Sequence, residues 1–193
     1  MIELALHVLD IAENSIRADA ALLEITIAED LVQDRLIMDI QDNGRGMTEE
    51  ELNKALDPFY STKKVRRIGL GLPMLSQSCR SSGGDFHIAS RPEAGTRVIA
   101  EFVHSNIDRQ PLGDMAGAIV ALILEKPEID IRYTHRKDSR SYILDTREIR
   151  AELGDIPLNH LEVIKLIRDN IREGLAELEE RSTSPSPLNL QGS

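Results

Sequence analysis

From Leu4 to Ile16, apolar residues return every three to four positions: Leu4, Ala5, Val8, Leu9, Ile11, Ala12 and Ile16. That period predicts an α-helix over about residues 2–19 with one apolar side. His7, Asp10, Asn14 and Arg17 fall on the adjoining polar stripe. The period then shortens to two. Leu23–Ala28 and Arg35–Ile40 alternate as strands and can pair as a hairpin. Thr48 with Glu51 forms a capping box, which predicts a short helix over Glu49–Leu56 that Pro58 stops. Leu72–Cys79 reads as a helix ended by Ser81-Ser82-Gly83-Gly84, and Asp85–Ser90 and Thr96–Val103 as strands paired around the turn Arg91–Gly95.

Beyond a boundary placed at His104–Pro111, the pattern predicts an amphipathic helix over Leu112–Glu125. A hairpin of Ile129–Thr134 and Ser141–Asp145 is expected across the charged turn Arg136–Arg140. Asn159 is expected to cap a long last helix with Leu161, Ile164, Ile167, Ile171, Leu175 and Leu178 turned inward. Residues 182–193 are rich in Ser and Pro and read as a disordered tail. Helices alternate with a mainly antiparallel set of strands, so the fold class is α+β.

Composition narrows the function. The formal net charge of -10 argues against binding to nucleic acid or an anionic membrane, both of which need concentrated Lys and Arg. Aromatics are 3% of the chain and Trp is absent, which removes a base-stacking platform. Cys79 is the single cysteine, so no internal disulfide can form, and a reducing cytoplasm is the expected compartment. The longest apolar run, Met115–Leu124, is too short to span a bilayer, and MIELALHVLD lacks the basic start of a signal peptide.

Candidate chemistry lies in the first half. Asp10 and Asn14 stand one turn apart on the first helix. An amide oxygen is a hard ligand of the kind Mg²⁺ accepts, and a carboxylate one turn earlier can orient a nucleophile or take its proton. Asp42-Asn43-Gly44-Arg45-Gly46 ends a strand, where a carboxylate can accept from an adenine amino group and glycines allow close backbone approach. Gly69-Leu70-Gly71-Leu72 leads into a helix whose N-terminal N–H groups can cradle phosphate. Lys63, Lys64, Arg66 and Arg67 stand just before it. Taken singly, the first reads as a solvated stripe, the second as a simple turn and the last as a surface loop.

In this order and spacing the segments resemble the GHKL superfamily, which includes topoisomerase, chaperone and mismatch-repair ATPases and histidine kinases. HVLDIAENSIRADA is similar to its N box, DNGRGM to the first glycine box, DPFYSTK to the F box, GLGLPM to the second glycine box, and GTRV to the strand closing the adenine pocket. The resemblance spans roughly residues 1–103 and is strongest to the histidine-kinase and anti-sigma-factor-kinase branch. It implies a Bergerat-fold α/β sandwich, with a mixed, mainly antiparallel sheet covered by helices. It further implies ATP and Mg²⁺ as cofactors, Asn14 as the metal ligand and Asp42 as the adenine reader. Gly44 and Gly46 would line the pocket, Lys63 would reach the terminal phosphates, and Gly69, Leu70, Gly71 and Leu72 would lie under the phosphate chain. Thr96 would stand near the adenine. Asp10 takes the position of the general base, which is Glu in hydrolysing members. His7, one turn earlier, is read either as orienting Asp10 or, in preference, as a polar residue on the surface.

The expected organisation is an ATP-binding unit over residues 1–103, a small α+β extension over 104–181 and a tail. No helical hairpin with a phospho-accepting His precedes the first box and no transducer domain follows, so the unit is expected to act alone or on a partner. One reading is an ATP-dependent protein kinase or slow ATPase working on a separate protein. The other is a non-catalytic adaptor that senses ATP or ADP through a lid over Asp57–Arg67. The extension is expected to bind a protein partner or a second copy of the chain.

Overall fold

The computed structural model describes residues 3–57 and 71–180. Lys63, Gly69 and Leu70, the lid beyond Asp57 and the Ser/Pro-rich tail lie outside the described residues. The first helix, α1 (Leu4–Arg17), is followed by the hairpin β1 (Leu22–Asp30) and β2 (Arg35–Asp42). Then come α2 (Glu49–Leu56), α3 (Gly71–Ser81), β3 (Phe86–Ser90) and β4 (Thr96–Val103). The remainder is α4 (Met115–Glu125), β5 (Asp130–Lys137), β6 (Arg140–Asp145), α5 (Thr146–Leu153) and α6 (Leu161–Glu180).

The strands form one sheet in the order β3-β4-β2-β1-β5-β6. Every pair is antiparallel except β1 with β5. The α+β class and the mixed, mainly antiparallel sheet read from the sequence therefore hold. Strand alternation sets the two faces. Leu23, Ile25 and Ile27, Leu36, Met38 and Ile40, Val98, Ala100 and Phe102, and Ile131 and Tyr133 are buried on one side. The opposite side carries ion pairs between neighbouring strands, Arg97 with Asp39 at 2.6 Å and Arg35 with Glu101 at 2.5 Å. A layer of helices covers the apolar side, with α1 between α3 and α4, and α4 between α1 and α6. Residues after Val103 thus add β5 and β6 to the same sheet, and α4 and α6 to the same core.

The capping box is present as expected. Thr48 Oγ1 accepts from Glu51 N, and Glu51 Oε2 accepts from Thr48 N at 2.8 Å. Several expectations for the second half need correction. The helix α4 starts at Met115, where the Asp114 carboxylate accepts from Gly117 N at 2.9 Å, and it is buried on most sides rather than amphipathic because α1 and α6 flank it. The β5–β6 turn shrinks to Asp138 and Ser139, with Asp138 at φ 51°. The charged residues around it extend the strands because α6 supplies partners: Lys137 Nζ donates to Glu179 Oε2 at 2.5 Å and Arg140 Nη1 to Glu177 O at 3.2 Å. In α6 the first helical bond runs from Ile164 N to His160 O, so His160 rather than Asn159 is the cap residue. Leu161 is 77% exposed, and Leu158 fills the core position that its apolar character suggested.

Candidate functional site

The strand β2 ends on Asp42, which is buried and stands in register with Leu23 of β1 and Thr96 of β4. Its Oδ1 accepts from Gly44 N at 2.8 Å and Thr96 N at 3.3 Å, and its Oδ2 accepts from Ser15 Oγ at 2.7 Å. Three donors thus fix the carboxylate, and acceptor capacity remains on an oxygen that can take up two or more hydrogen bonds. Asp42 lines a cavity of about 200 Å³ with Ile11, Asn14, Gly46, Leu72, Thr96 and Val98. Such a site, apolar with few polar groups, suits a flat heteroaromatic ring that offers one amino group.

The turn after Asp42 is shaped by contacts only glycine allows. Gly46 has φ +67°, and a Cβ there would lie 1.8 Å from Arg91 O. Gly95, opposite, has φ +75°, and its Cβ would lie 2.0 Å from Asp42 O. At Gly44 a Cβ would fall 2.7 Å from Ala18 O. The backbones of the DNGRG segment and of the β3–β4 turn therefore touch. Asn43 is structural: its Oδ1 accepts from Ala21 N and Leu22 N, tying the turn to the start of β1. Thr96 closes the wall, with its hydroxyl 2.8 Å from Ser90 Oγ.

Asp10 and Asn14 lie on the exposed side of α1. Asn14 borders the cavity, so the amide expected to meet a metal shares a site with the expected adenine reader. Its Oδ1 accepts only a long bond from Arg17 Nη1 at 3.4 Å. Asp10 lies against the start of α3: a Cβ on Gly71 would be 3.0 Å from Asp10 Cβ. The first described residue of α3 thus abuts Asp10. Burial raises the Asp10 pKa; His7 and Arg17 oppose this and Glu13 reinforces it.

His7 departs from its expected place on the surface. It is 3% exposed because the segment before α4 closes over the start of α1. Leu4 N donates to Pro111 O and Ala5 N to Leu112 O, both at 2.9 Å, and His7 Nε2 donates to Gln110 Oε1 at 2.9 Å. Burial lowers the His7 pKa against the opposing effects of Gln110 and Asp10. Sequence reasoning also missed Ser15 and Ser90. Ser15 is a polar residue on the apolar side of α1, between Ala12 and Ile16, and that misplacement is the signal it offered.

The arrangement joins Asn14, Asp42, Gly46, Leu72 and Thr96 around one cavity, with Gly44 in its turn and Asp10 and Gly71 beside it. Among the described residues, no group of three or more His, Cys, Asp or Glu is placed to hold a metal ion. A single hard amide donor on an exposed helix face suits a Mg²⁺ that keeps most of its waters and is held mainly by phosphates.

The sequence profile of the histidine kinase-, DNA gyrase B-, and HSP90-like ATPases matches residues 2–106. The chain belongs to this family. Within it, the chain is similar to sensor kinase CckA of Brucella abortus, at 35% identity over 164 residues, covering 71% of this chain and 17% of that protein. Sporulation kinase D of Bacillus subtilis is 31% identical over 91 residues, covering 47% of this chain and 18% of that protein. The chain therefore spans under a fifth of the length of these two kinases. Among solved structures, the Aquifex aeolicus MutL ATPase domain complexed with ADP matches at 18% identity with a TM-score of 0.41, over 72% of this chain and 60% of that one. Like the GHKL resemblance in the sequence, the family match ends close to Val103. Among the described residues no helix is long and apolar enough to cross a membrane.

Proposed function

We propose that the chain binds Mg-ATP in the Asp42 cavity and acts on a separate protein as a histidine-kinase-like phosphotransferase or slow ATPase. The observation that carries this reading is Asp42, held by three donors at the edge of a cavity that also contains Asn14. Asp42 accepts from the adenine amino group, and Gly44, Gly46 and Thr96 keep the ring close. Asn14 meets the metal. Gly69, Leu70, Gly71 and Leu72 offer backbone N–H groups to the phosphates, with Lys63 at the terminal one. The bound metal supplies charge neutralisation on the phosphate oxygens. Asp10 orients the nucleophile and receives its proton.

The kinases that the chain matches support the transfer reading. The short side chain of Asp10 supports a second one. A carboxylate about one methylene further back costs alignment, and an adaptor that only senses ATP or ADP needs no turnover. In both readings residues 1–103 hold the nucleotide and 104–181 face the partner or a second copy, in the cytoplasm. Calorimetry with ATP and ADP, with and without Mg²⁺, tests the shared part. Asn14→Ala should remove the Mg²⁺ dependence while leaving thermal unfolding nearly unchanged, since Ala is the better helix former. Binding of ATP that ignores both Mg²⁺ and Asn14 would sink the metal assignment. Incubation with γ-labelled ATP and candidate partners separates transfer from sensing.

A further inference from the structure

The sheet ends on β6, which is last in the strand order and pairs only with β5. On β5, Asp130 N donates to Ala21 O and Asp138 N to Glu29 O, so the even residues bond toward β1 and the odd ones toward β6. The register then sets the far side of β6. Leu144 and Tyr142 stand opposite Tyr133 and His135 and bond inward, whereas Ser141, Ile143 and Asp145 turn their backbone groups outward. Among the described residues, nothing accepts from the Ile143 N–H. The neighbouring helices leave this edge open. Arg150 of α5 donates to Asp130 Oδ1 and to Ile129 O, both at 3.1 Å, which draws α5 toward the start of β5. The helix α6 lies flat on the inner face of the strand: a Cβ on Gly174 would be 2.1 Å from Tyr142 Cδ2, and Tyr142 OH donates to Asn170 Oδ1 at 2.7 Å. Open edges in folded proteins are commonly blocked by Lys, Pro or a bulge. Between its end residues β6 has none of these, and Ile143 at its centre is 51% exposed.

We propose that β6 is a dimerisation edge whose occupant is the β6 of a second copy, paired antiparallel about a two-fold axis through Ile143. This deepens one clause of the reading above, on which it rests: residues 104–181 face a second copy, and they do so through this strand. Self-complementarity argues for that occupant. An antiparallel pair sets side chains of the same face opposite each other, so a strand meets its own copy only in a register that keeps the faces matched. An axis through Ile143 does so. Ile143 meets the partner's Ile143, and the two exchange backbone hydrogen bonds. Ser141 comes opposite the partner's Asp145, a hydroxyl donor facing a carboxylate that has acceptor capacity beyond its bonds from Arg147. The outward Asp145 N–H meets the partner's Ser141 carbonyl. On the helix side, Leu166 is 67% exposed and stands one turn before Asn170, on the flank of α6 that lies over β6, where the second copy covers it. Such an interface uses the same patch on both copies and closes at two. Asp42 and Thr96 lie on β2 and β4, beyond β1 and β5 from the axis, so both cavities stay open.

Two measurements on the full chain test this. Sedimentation equilibrium of the wild type should show a monomer–dimer equilibrium. Ile143→Lys should raise the dissociation constant at least about tenfold, because two like charges then face each other where two apolar side chains met. The side chain lies outside the core and the cavity, so this variant should fold and should bind ATP as the wild type does. The second measurement needs no variant. Hydrogen exchange at the Ile143 amide, followed by NMR, should slow at least about tenfold from dilute to concentrated solution, as mass action fills the dimer. A strictly monomeric wild type, a dimer that Ile143→Lys leaves intact, or an Ile143 amide that exchanges freely within the dimer overturns the proposal. Protection of that amide in a monomer also overturns it, since another part of the chain then occupies the edge. A dimer that binds no ATP by calorimetry defeats the nucleotide reading and leaves this one standing. A monomer that binds ATP does the reverse.

Discussion

The two ends of the β1–β2 hairpin each bury a carboxylate, and they bury it differently. Asp42, at one end, is held by a hydroxyl and two backbone N–H groups and borders a cavity. Glu29, at the other, lies between two imidazoles: His135 Nε2 donates to its Oε1 at 2.8 Å and His104 Nε2 to its Oε2 at 2.9 Å. Tyr133 OH stands 2.9 Å from the far nitrogen of His135. Burial pushes the Glu29 pKa up, but the hydrogen bonds from His135 and His104, together with the charges of His135 and Lys137, outweigh it and hold the group down to about 2. Burial alone does not distinguish the two carboxylates, since both are nearly covered. The neighbours do. Neutral donors plus space leave Asp42 with room beside it, whereas partners that can carry charge, drawn from two other segments of the chain, make Glu29 a staple. It joins β1 to β5 and to the residues after β4.

The sharpest break of this contrast is at the staple. Glu29→Ala takes the acceptor from His135 and His104 at a mostly buried site, and should lower unfolding free energy by about 3–5 kcal/mol. ATP affinity, measured under folding conditions, should not change. Denaturant unfolding checks the first part and calorimetry the second. A Glu29→Ala chain of normal stability would mean that the network is incidental. At the other end, Asp42→Asn exchanges an obligate acceptor for an amide and should weaken ATP binding by about 1–3 kcal/mol, the cost of a buried polar mismatch. Unchanged affinity would remove Asp42 as the adenine reader.

Acid should test the charge at the staple. The folded pKa of Glu29 is depressed from its ordinary 4.5 to about 2. Its contribution is therefore complete above the unfolded pKa and is lost as pH falls from about 4.5 toward 2. The stability gap between wild type and Glu29→Gln should be constant near neutral pH and close across that window. A gap that stays open at pH 2 would place the effect in packing rather than charge.

What could be read from the sequence follows the range of the interactions. The Thr48–Glu51 capping box, the β1–β2 hairpin and the DNGRG turn are set by residues a few positions apart, and they stand where the pattern put them. Asn14, Asp42 and Thr96 come together because each ends or punctuates such an element. The Glu29 staple spans 106 residues to His135 and 75 to His104, and no local period reports a contact of that kind. The burial of His7 depends on Gln110, 103 residues away. The helix α5 was missed because its sequence TREIRAEL is polar and buries only Thr146. Its start is fixed by the Asp145 cap and by Thr146 Oγ1, which accepts from Ile131 N at 2.8 Å across the sheet edge.

The smallest expected effect concerns Ser15, whose hydroxyl donates to Asp42 Oδ2 at 2.7 Å from the last turn of α1. Ser15→Ala removes one net hydrogen bond, worth about 0.5–1.5 kcal/mol. Two effects reduce that loss in the free protein. Ala has the higher helix propensity, by up to about 0.5 kcal/mol. The orphaned carboxylate oxygen also borders a cavity that water can enter, so it need not stay unpaired. Unfolding should therefore shift little. Binding should shift more, because adenine must displace that water and finds a carboxylate fixed on one oxygen only. ATP affinity should fall a few-fold, well short of the loss in Asp42→Asn, and the double variant should show less than the sum of the two, since Ser15 acts through Asp42. Full additivity in that cycle, measured by calorimetry, would mean that Ser15 meets the nucleotide by itself and that Asp42 is not the group it positions.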